Sequence, residues 1–298
     1  MKKHPVIAGL VLLIALGTLF YVLFYWVGAQ SGKVSTRTFS LGEKIGVVPI
    51  EGVISDSSEI TGYIEEFAKD NSIAAVVVRI DSPGGGVAAS QEIYEAIVAL
   101  KKKKKVVVSM GSVAASGGLL IACAADKIMA NPGTITGSIS AIMQFANVEE
   151  LLKKVGVQAT VVKSGPYKDI GSPVREMTQE ERAIIQELID DIYDQFVEVI
   201  VRDRQLTRQQ VEAIADGRVF SGRKAKDYGL VDELGDMAAA ARLASTLAGK
   251  GGAYDLVYPQ KKRSTILSYI FEKAAIQIGR ALAEQFQKRV GAGYLYQP

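Results

Sequence analysis

The chain has 298 residues, room for one large domain or two small ones, and its 48% of hydrophobic residues suits an ordinary buried core. Net charge is +3 but would be −2 without the five-lysine run at 101–105, so no distributed basic field exists for nucleic acid. One cysteine, Cys123, and one histidine, His4, exclude an intrachain disulfide and a Cys/His zinc set, and no feature asks for a metal or other cofactor.

Residues 2–4 read Lys-Lys-His, and from Val6 to Val27 there is no charge. As a helix those residues would span about 33 Å, close to the ~30 Å hydrocarbon thickness of a bilayer. Tyr21, Tyr25 and Trp26 sit toward the outer end, where interfacial aromatics belong. Val27-Gly28-Ala29 resembles a cleavage site, yet the apolar run is longer than the roughly 7–15 residues of a signal-peptide core. The expectation is an uncleaved transmembrane anchor over 1–29. Lys2 and Lys3 hold its N-terminus in the cytoplasm and place the rest of the chain outside the cytoplasmic membrane.

Residues 30–42 are polar and read as a tether. From there short apolar runs alternate with helical stretches. Strands are predicted at 45–50, 73–80, 106–110, 127–130 and 141–144, with helices at 57–69, 88–102 and 119–125. The run Ile73 to Ile80 is apolar on both faces, as in a buried parallel strand. A long helix over 178–204 opens with a capping box, Thr178 to Glu181, and shorter helices follow at 207–215, 221–228 and 236–248. This alternation predicts an α/β fold with a parallel sheet and crossover helices over 43–258. Residues 259–298 are expected to form a separate amphipathic helix, 264–290, and a tail that could lie in a neighbour's substrate groove or simply fray.

Two strand-to-helix junctions carry chemistry. Asp81-Ser82-Pro83-Gly84-Gly85-Gly86 leaves backbone N–H groups unshielded at a helix N-terminus, which suits an anion or a developing oxyanion. A plain tight turn reads equally well, but no nucleotide-binding pattern follows. Ser116, in Ser112-Val113-Ala114-Ala115-Ser116-Gly117-Gly118, occupies an equivalent junction; it reads as an exposed nucleophile or as a site of close helix packing. A reactive serine needs a base, and His4 lies ahead of the anchor, out of reach. Lysine is the known substitute.

These motifs, with Ala124-Ala125-Asp126-Lys127-Ile128, Gly133-Thr134-Ile135-Thr136-Gly137-Ser138 and Tyr167-Lys168-Asp169-Ile170-Gly171-Ser172-Pro173, resemble the bacterial signal peptide peptidase A family in its short, single-domain form. The loop and serine motifs also fit Clp proteases or crotonases; the Tyr-Lys-Asp segment and the absent histidine separate this family from the Clp type. The resemblance implies a Clp/crotonase-like fold and a Ser/Lys dyad of Ser116 and Lys168, supported by Ser138. Gly85 and Gly117 would be the oxyanion donors, with Gly84 as fallback for the first. It further implies released signal peptides as substrates. Because the chain is half the length of two-domain relatives, it also implies a homo-oligomer in which Ser116 of one subunit meets Lys168 of another.

A free lysine has a pKa near ~10.4, so a lysine base must be desolvated; a shift of roughly 3 units takes about 4 kcal/mol. Pro166, Tyr167, Ile170 and Pro173 are placed to exclude water, while Asp169 must face away from the ammonium. Lys163 is the second candidate. Two rival readings remain: an acyl-thioester enzyme of the crotonase type and a non-catalytic membrane scaffold.

Overall fold

The computed structural model describes residues 43–260, together with 17 and 18; the expected anchor, the tether and the C-terminal helix and tail lie outside the described residues. Among the described residues, eight strands form one sheet. The N-terminal half alternates β1 (Glu43–Glu51), α1 (Ser58–Lys69), β2 (Ile73–Ser82), α2 (Val87–Lys101), β3 (Lys105–Ala115), α3 (Gly117–Ala122), β4 (Lys127–Ala130) and β5 (Ile135–Gly137). There follow α4 (Glu149–Lys154), α5 (Gln179–Arg204), α6 (Arg208–Glu212), β6 (Val219–Ser221), α7 (Gly222–Asp227), β7 (Glu233–Leu234), α8 (Met237–Leu247) and β8 (Tyr254–Val257).

The strand order is β6-β5-β3-β2-β1-β8, with β4 joining β3 to β7. All pairings are parallel except β5 with β6, so the sheet is mixed rather than purely parallel. β6 follows α6 through bends at Asp216 and Gly217 and pairs antiparallel with β5.

Alternating residues of β2 explain its continuous apolar run. Val76, Val78 and Ile80 face a large cluster with Ile93, Ile97, Leu119 and Ile121 of α2 and α3, while Ala75 and Val77 face Ala240, Ala241 and Ala244 of α8. Both faces of the central strands are therefore covered, as a parallel arrangement demands. Each fully buried Ile or Val contributes about 1.5–3 kcal/mol of transfer free energy. α5 begins with the expected capping box, in which the Thr178 hydroxyl accepts the Glu181 N–H and the Glu181 carboxylate accepts the Thr178 N–H.

The expected strand at 141–144 is absent. Those residues have no regular secondary structure and pair with no strand among the described residues, and the strand lies instead at β5, inside the Gly-Thr-Ile-Thr-Gly-Ser motif. Apolar alternation alone cannot tell a paired strand from an extended segment that lacks a neighbour. Residues 138–178 thus leave the sheet as an arm that runs out, turns through α4 and returns to α5. Its two legs meet where the Val148 N–H donates to the Pro173 carbonyl at 2.7 Å and the Phe145 ring covers Gly171.

Candidate active site

The site is assembled where β2 and β3 end side by side. Their register slips between Ile80 and Ser82: Ile80 pairs with Met110, but Ser82 pairs with Ala114. The Asp81 carboxylate occupies the bulge this makes, accepting the Val113 N–H at 3.1 Å, and a Cβ on Gly111 would lie 2.7 Å from its Oδ2. Two buried threonine hydroxyls fasten the same stretch of β3. Thr134 donates to the Gly111 carbonyl at 2.7 Å and Thr136 to the Ala114 carbonyl at 2.6 Å. These three side chains aim the end of β3 and hence Ser116. The sequence contained them within its motifs, but nothing in their spacing disclosed that role.

Ser116 sits at φ 53°, ψ −120°, a conformation that non-glycine residues rarely adopt and that costs of order 1–3 kcal/mol. The surroundings hold it there. Its N–H donates to the Gly137 carbonyl at 2.8 Å, and its own carbonyl accepts from Leu119 and Leu120 at the start of α3. Such a strained strand-to-helix turn presents the hydroxyl at the sheet's edge. Ser138, the expected supporting residue, follows Gly137 directly, so it lies close in the chain to the Ser116 anchor. It too has a positive φ, 54°, and its N–H donates to the Arg218 carbonyl at 2.8 Å.

The glycine loop packs against this turn with no room for side chains. Gly84 has φ +99°, and a Cβ there would stand 2.7 Å from the Gly117 nitrogen and 2.9 Å from the Ser116 Cβ. A Cβ on Gly85 would stand 2.1 Å from the Ile54 carbonyl oxygen, because Ile54 bridges to this loop as a short strand would. The Gly84 N–H is spent on the Ser82 hydroxyl at 3.0 Å, so the fallback donor is not free. Among the described residues the Gly85 and Gly117 N–H groups make no hydrogen bond, and both residues line the cleft beside Ser116. Two unpaired backbone donors next to a strained serine form an arrangement suited to a tetrahedral oxyanion.

That cleft is small, about 40 Å³, with walls from Val87, Leu120, Ile192 and Phe196. At Ala141 it adjoins a larger groove of about 740 Å³ between the outgoing leg of the arm and the first turns of α5. Among the described residues, no histidine, lysine or carboxylate lines the small cleft. Cys123 is no rival nucleophile, since burial pushes its thiol up to about 12.

Lys168 is not brought to Ser116 within the chain. It lies exposed in the returning leg of the arm, and the cleft has no contribution from it. Asp169, its neighbour, is paired with other groups. The Arg175 guanidinium grips the Asp169 carboxylate through Nε and Nη2, each at 2.8 Å, and Lys163 pairs with it from the other side. Those two cations, Arg175 first, hold the Asp169 carboxyl below the usual carboxylate range. Lys163, the second candidate for the base, is consumed by that ion pair and by a bond to the Pro166 carbonyl at 2.7 Å.

With this geometry in view, comparison with known proteins is specific. Residues 98–250 match the model of peptidase family S49, and residues 52–139 match that of Clp protease. A protein named as a protease in Synechocystis sp. is 47% identical over 218 residues, covering 73% of this chain and 77% of that one. A protein named signal peptide peptidase SppA in Enterococcus faecium is 33% identical, covering 69% and 64% respectively. Protease 4 of Haemophilus influenzae is 36% identical over 71% of this chain, but the match spans only 36% of that longer protein. A solved ClpP1 variant from Listeria monocytogenes superposes with a TM-score of 0.46 at 20% identity, over 65% of this chain and 94% of its own. The chain belongs to peptidase family S49 and is a serine-type peptidase.

Proposed function

We propose that the protein is a membrane-anchored endopeptidase with a Ser116/Lys168 dyad, acting on signal peptides already released from preproteins. The observation that carries this reading is an acylation half-site, Ser116 with two unpaired N–H donors, whose cleft contains no base among the described residues. Lys168 is carried instead on an exposed arm. A partner subunit's Lys168 would complete the site, and the apolar side chains of the arm supply a surface for that partner.

In this mechanism the Ser116 Oγ attacks the peptide carbonyl carbon while the neutral Lys168 amine accepts the hydroxyl proton. Negative charge develops on the carbonyl oxygen and is received by the Gly85 and Gly117 N–H groups. Collapse of the tetrahedral species breaks the C–N bond, and the ammonium returns its proton to the leaving amine. Water, deprotonated by the same lysine, then hydrolyses the acyl-enzyme. Apolar substrates held in or near the bilayer would account for an anchor over 1–29, with the catalytic domain outside the cytoplasm. The groove beside Ala141 offers a path for an extended peptide.

The test is complementation. Ser116→Ala and Lys168→Ala chains should each be inactive, and co-assembled mixtures should regain part of the activity while a fluorophosphonate labels only chains that keep Ser116. Verified mixed assemblies without activity would place the dyad within one chain. Turnover by either variant alone would remove the dyad altogether.

A further inference from the structure

Arg175 lies outside the motifs that carry the catalytic reading, yet it is the most heavily bonded side chain of the arm. Its Nε and Nη2 donate to the two Asp169 carboxylate oxygens, and Nη2 also reaches the Asp169 carbonyl at 3.2 Å. Its Nη1 donates to the Glu176 carbonyl at 2.9 Å and to Glu181 Oε2 at 2.8 Å, and Nη2 bonds the other Glu181 oxygen. Glu181 is buried and is itself locked into the capping box that starts α5. Every N–H of the guanidinium therefore has an acceptor. The planar fork ties a turn to a helix terminus in a way that a lysine ammonium cannot reproduce.

That turn is the one bearing Lys168. The Lys168 N–H donates to the Gly165 carbonyl and the Ile170 N–H to the Tyr167 carbonyl, but these bonds are local to the turn. Phe145 packs on Gly171 and the Val148 N–H reaches the Pro173 carbonyl, but Asp169 supplies the turn's ionic attachment to the start of α5, through Arg175. The charged groups on Asp169 are Lys163 from the same leg and Arg175, with Glu181 behind Arg175 at the start of α5. Two cations thus balance the two carboxylates of this cluster.

We propose that Arg175 is a positioning residue for the lysine base: it pins the 164–173 turn to the start of α5 and holds the Asp169 carboxylate away from the Lys168 amine. This rests on the reading of Lys168 as base. Without Arg175, Asp169 retains only Lys163 and is free to swing toward its neighbour. A carboxylate within reach of the amine favours the charged ammonium, which is the form that cannot accept the Ser116 proton. Two separate effects follow, a loosened turn and a base that stays protonated to higher pH.

The experiment measures kcat and KM against pH for the full-length protein in detergent micelles, with a fluorogenic apolar peptide. Arg175→Met should lower kcat roughly 100-fold, the scale of a misplaced reacting group, and displace the rise of activity upward by about one pH unit. Asp169→Asn keeps the size of the side chain and removes the carboxylate. It should lower kcat about 10-fold through the weakened pin, with no upward displacement, and in the Arg175→Met background it should bring the pH profile back. Arg175→Lys should lie between the wild type and Arg175→Met, since it restores charge without the fork. A merely structural role would lower the folded fraction and leave the pH profile of the folded molecules in place; that result overturns the proposal. If Arg175→Met does not fold, Asp169→Asn decides: wild-type kcat and profile in that variant are equally fatal. Lys168→Met separates the two levels. If it turns over like the wild type, the base reading is wrong; if it is inactive while Arg175→Met behaves as wild type, only the positioning role fails.

Discussion

The two halves of the proposed site are built by opposite means. Ser116, Gly84, Gly85 and Gly117 sit at the ends of strands whose side chains are almost fully buried on both faces, and their contacts leave no space for one added carbon. The arm that carries Lys168 has nearly the reverse character. Ile142 is 86% exposed and Val162 95%, and Leu151, Val155 and Val157 are also open to solvent. Even α5 divides this way. Phe196, Val197 and Ile200 lie in the core near its C-terminal end, whereas Ile184 and Leu188 near its start are uncovered. One half of the site is preorganised by a closed core; the other is held by hydrogen bonds at the foot of an arm whose apolar surface is unsatisfied within the chain. On the proposed reading, these exposed apolar side chains are where a partner subunit would pack.

The comparison breaks most sharply at the nucleophile. Ser116→Ala should reduce peptide hydrolysis by at least roughly a thousandfold, with the melting temperature unchanged or raised, because alanine retains the contacts and loses only the hydroxyl. A residual rate near that of the wild type would mean another nucleophile.

Next comes the glycine wall. Gly84→Ala forces a Cβ to within 2.7 Å of the Gly117 nitrogen at φ +99°. It should lower kcat roughly 100-fold by displacing an oxyanion donor, with KM changed less. Comparable kcat in a correctly folded variant would show that the donor geometry is not used.

A change on the arm should act differently. Val162→Asp places a charge on a side chain that touches almost nothing in the chain, so the folded domain should keep its melting temperature within a few degrees. Assembly size by light scattering should fall, and activity should drop about 10-fold or more with it. If the assembly and its activity survive, the partner surface lies elsewhere.

The smallest effect sharpens the contrast at the foot of the arm. Arg175, with help from the Thr178 N–H, holds the Glu181 carboxyl down at about 2, and Arg175 and Lys163 hold Asp169 below the usual range. Carboxylates depressed in the folded state add stability that is present above the ordinary carboxylate range near ~4 and is lost as pH falls toward 2. Between pH 5 and 3 the wild type should therefore lose slightly more melting temperature than Arg175→Met, as followed by circular dichroism. Equal losses would show that the brace is screened by solvent.

Much of this was legible without coordinates. Apolar runs marked β1, β2, β3 and β4, because a strand buried on both faces is apolar along most of its length. The Thr178–Glu181 capping box marked the start of α5, since its two bonds are local in sequence. Ser116 and the glycine loop stood out for the same reason: junction chemistry is written in neighbouring residues. The strand expected at 141–144 failed because pairing depends on a neighbour, not on alternation, and β5 was hidden in a motif of small residues. The mixed sheet depended on the path of the chain after α6, which no local pattern encodes.

The amino-acid sequence by itself determined the family, the α/β alternation, the candidate nucleophile and the absence of a histidine able to serve it. Those properties depend on residue identity and short-range spacing. Tertiary structure alone decided that Gly84 has spent its N–H on Ser82, that Asp81, Thr134 and Thr136 aim the end of β3, and that Asp169 turns to Arg175 rather than to Lys168. Each joins groups whose approach is set by the packing of whole elements, and a hydrogen bond of 3 Å cannot be read from a separation along the chain.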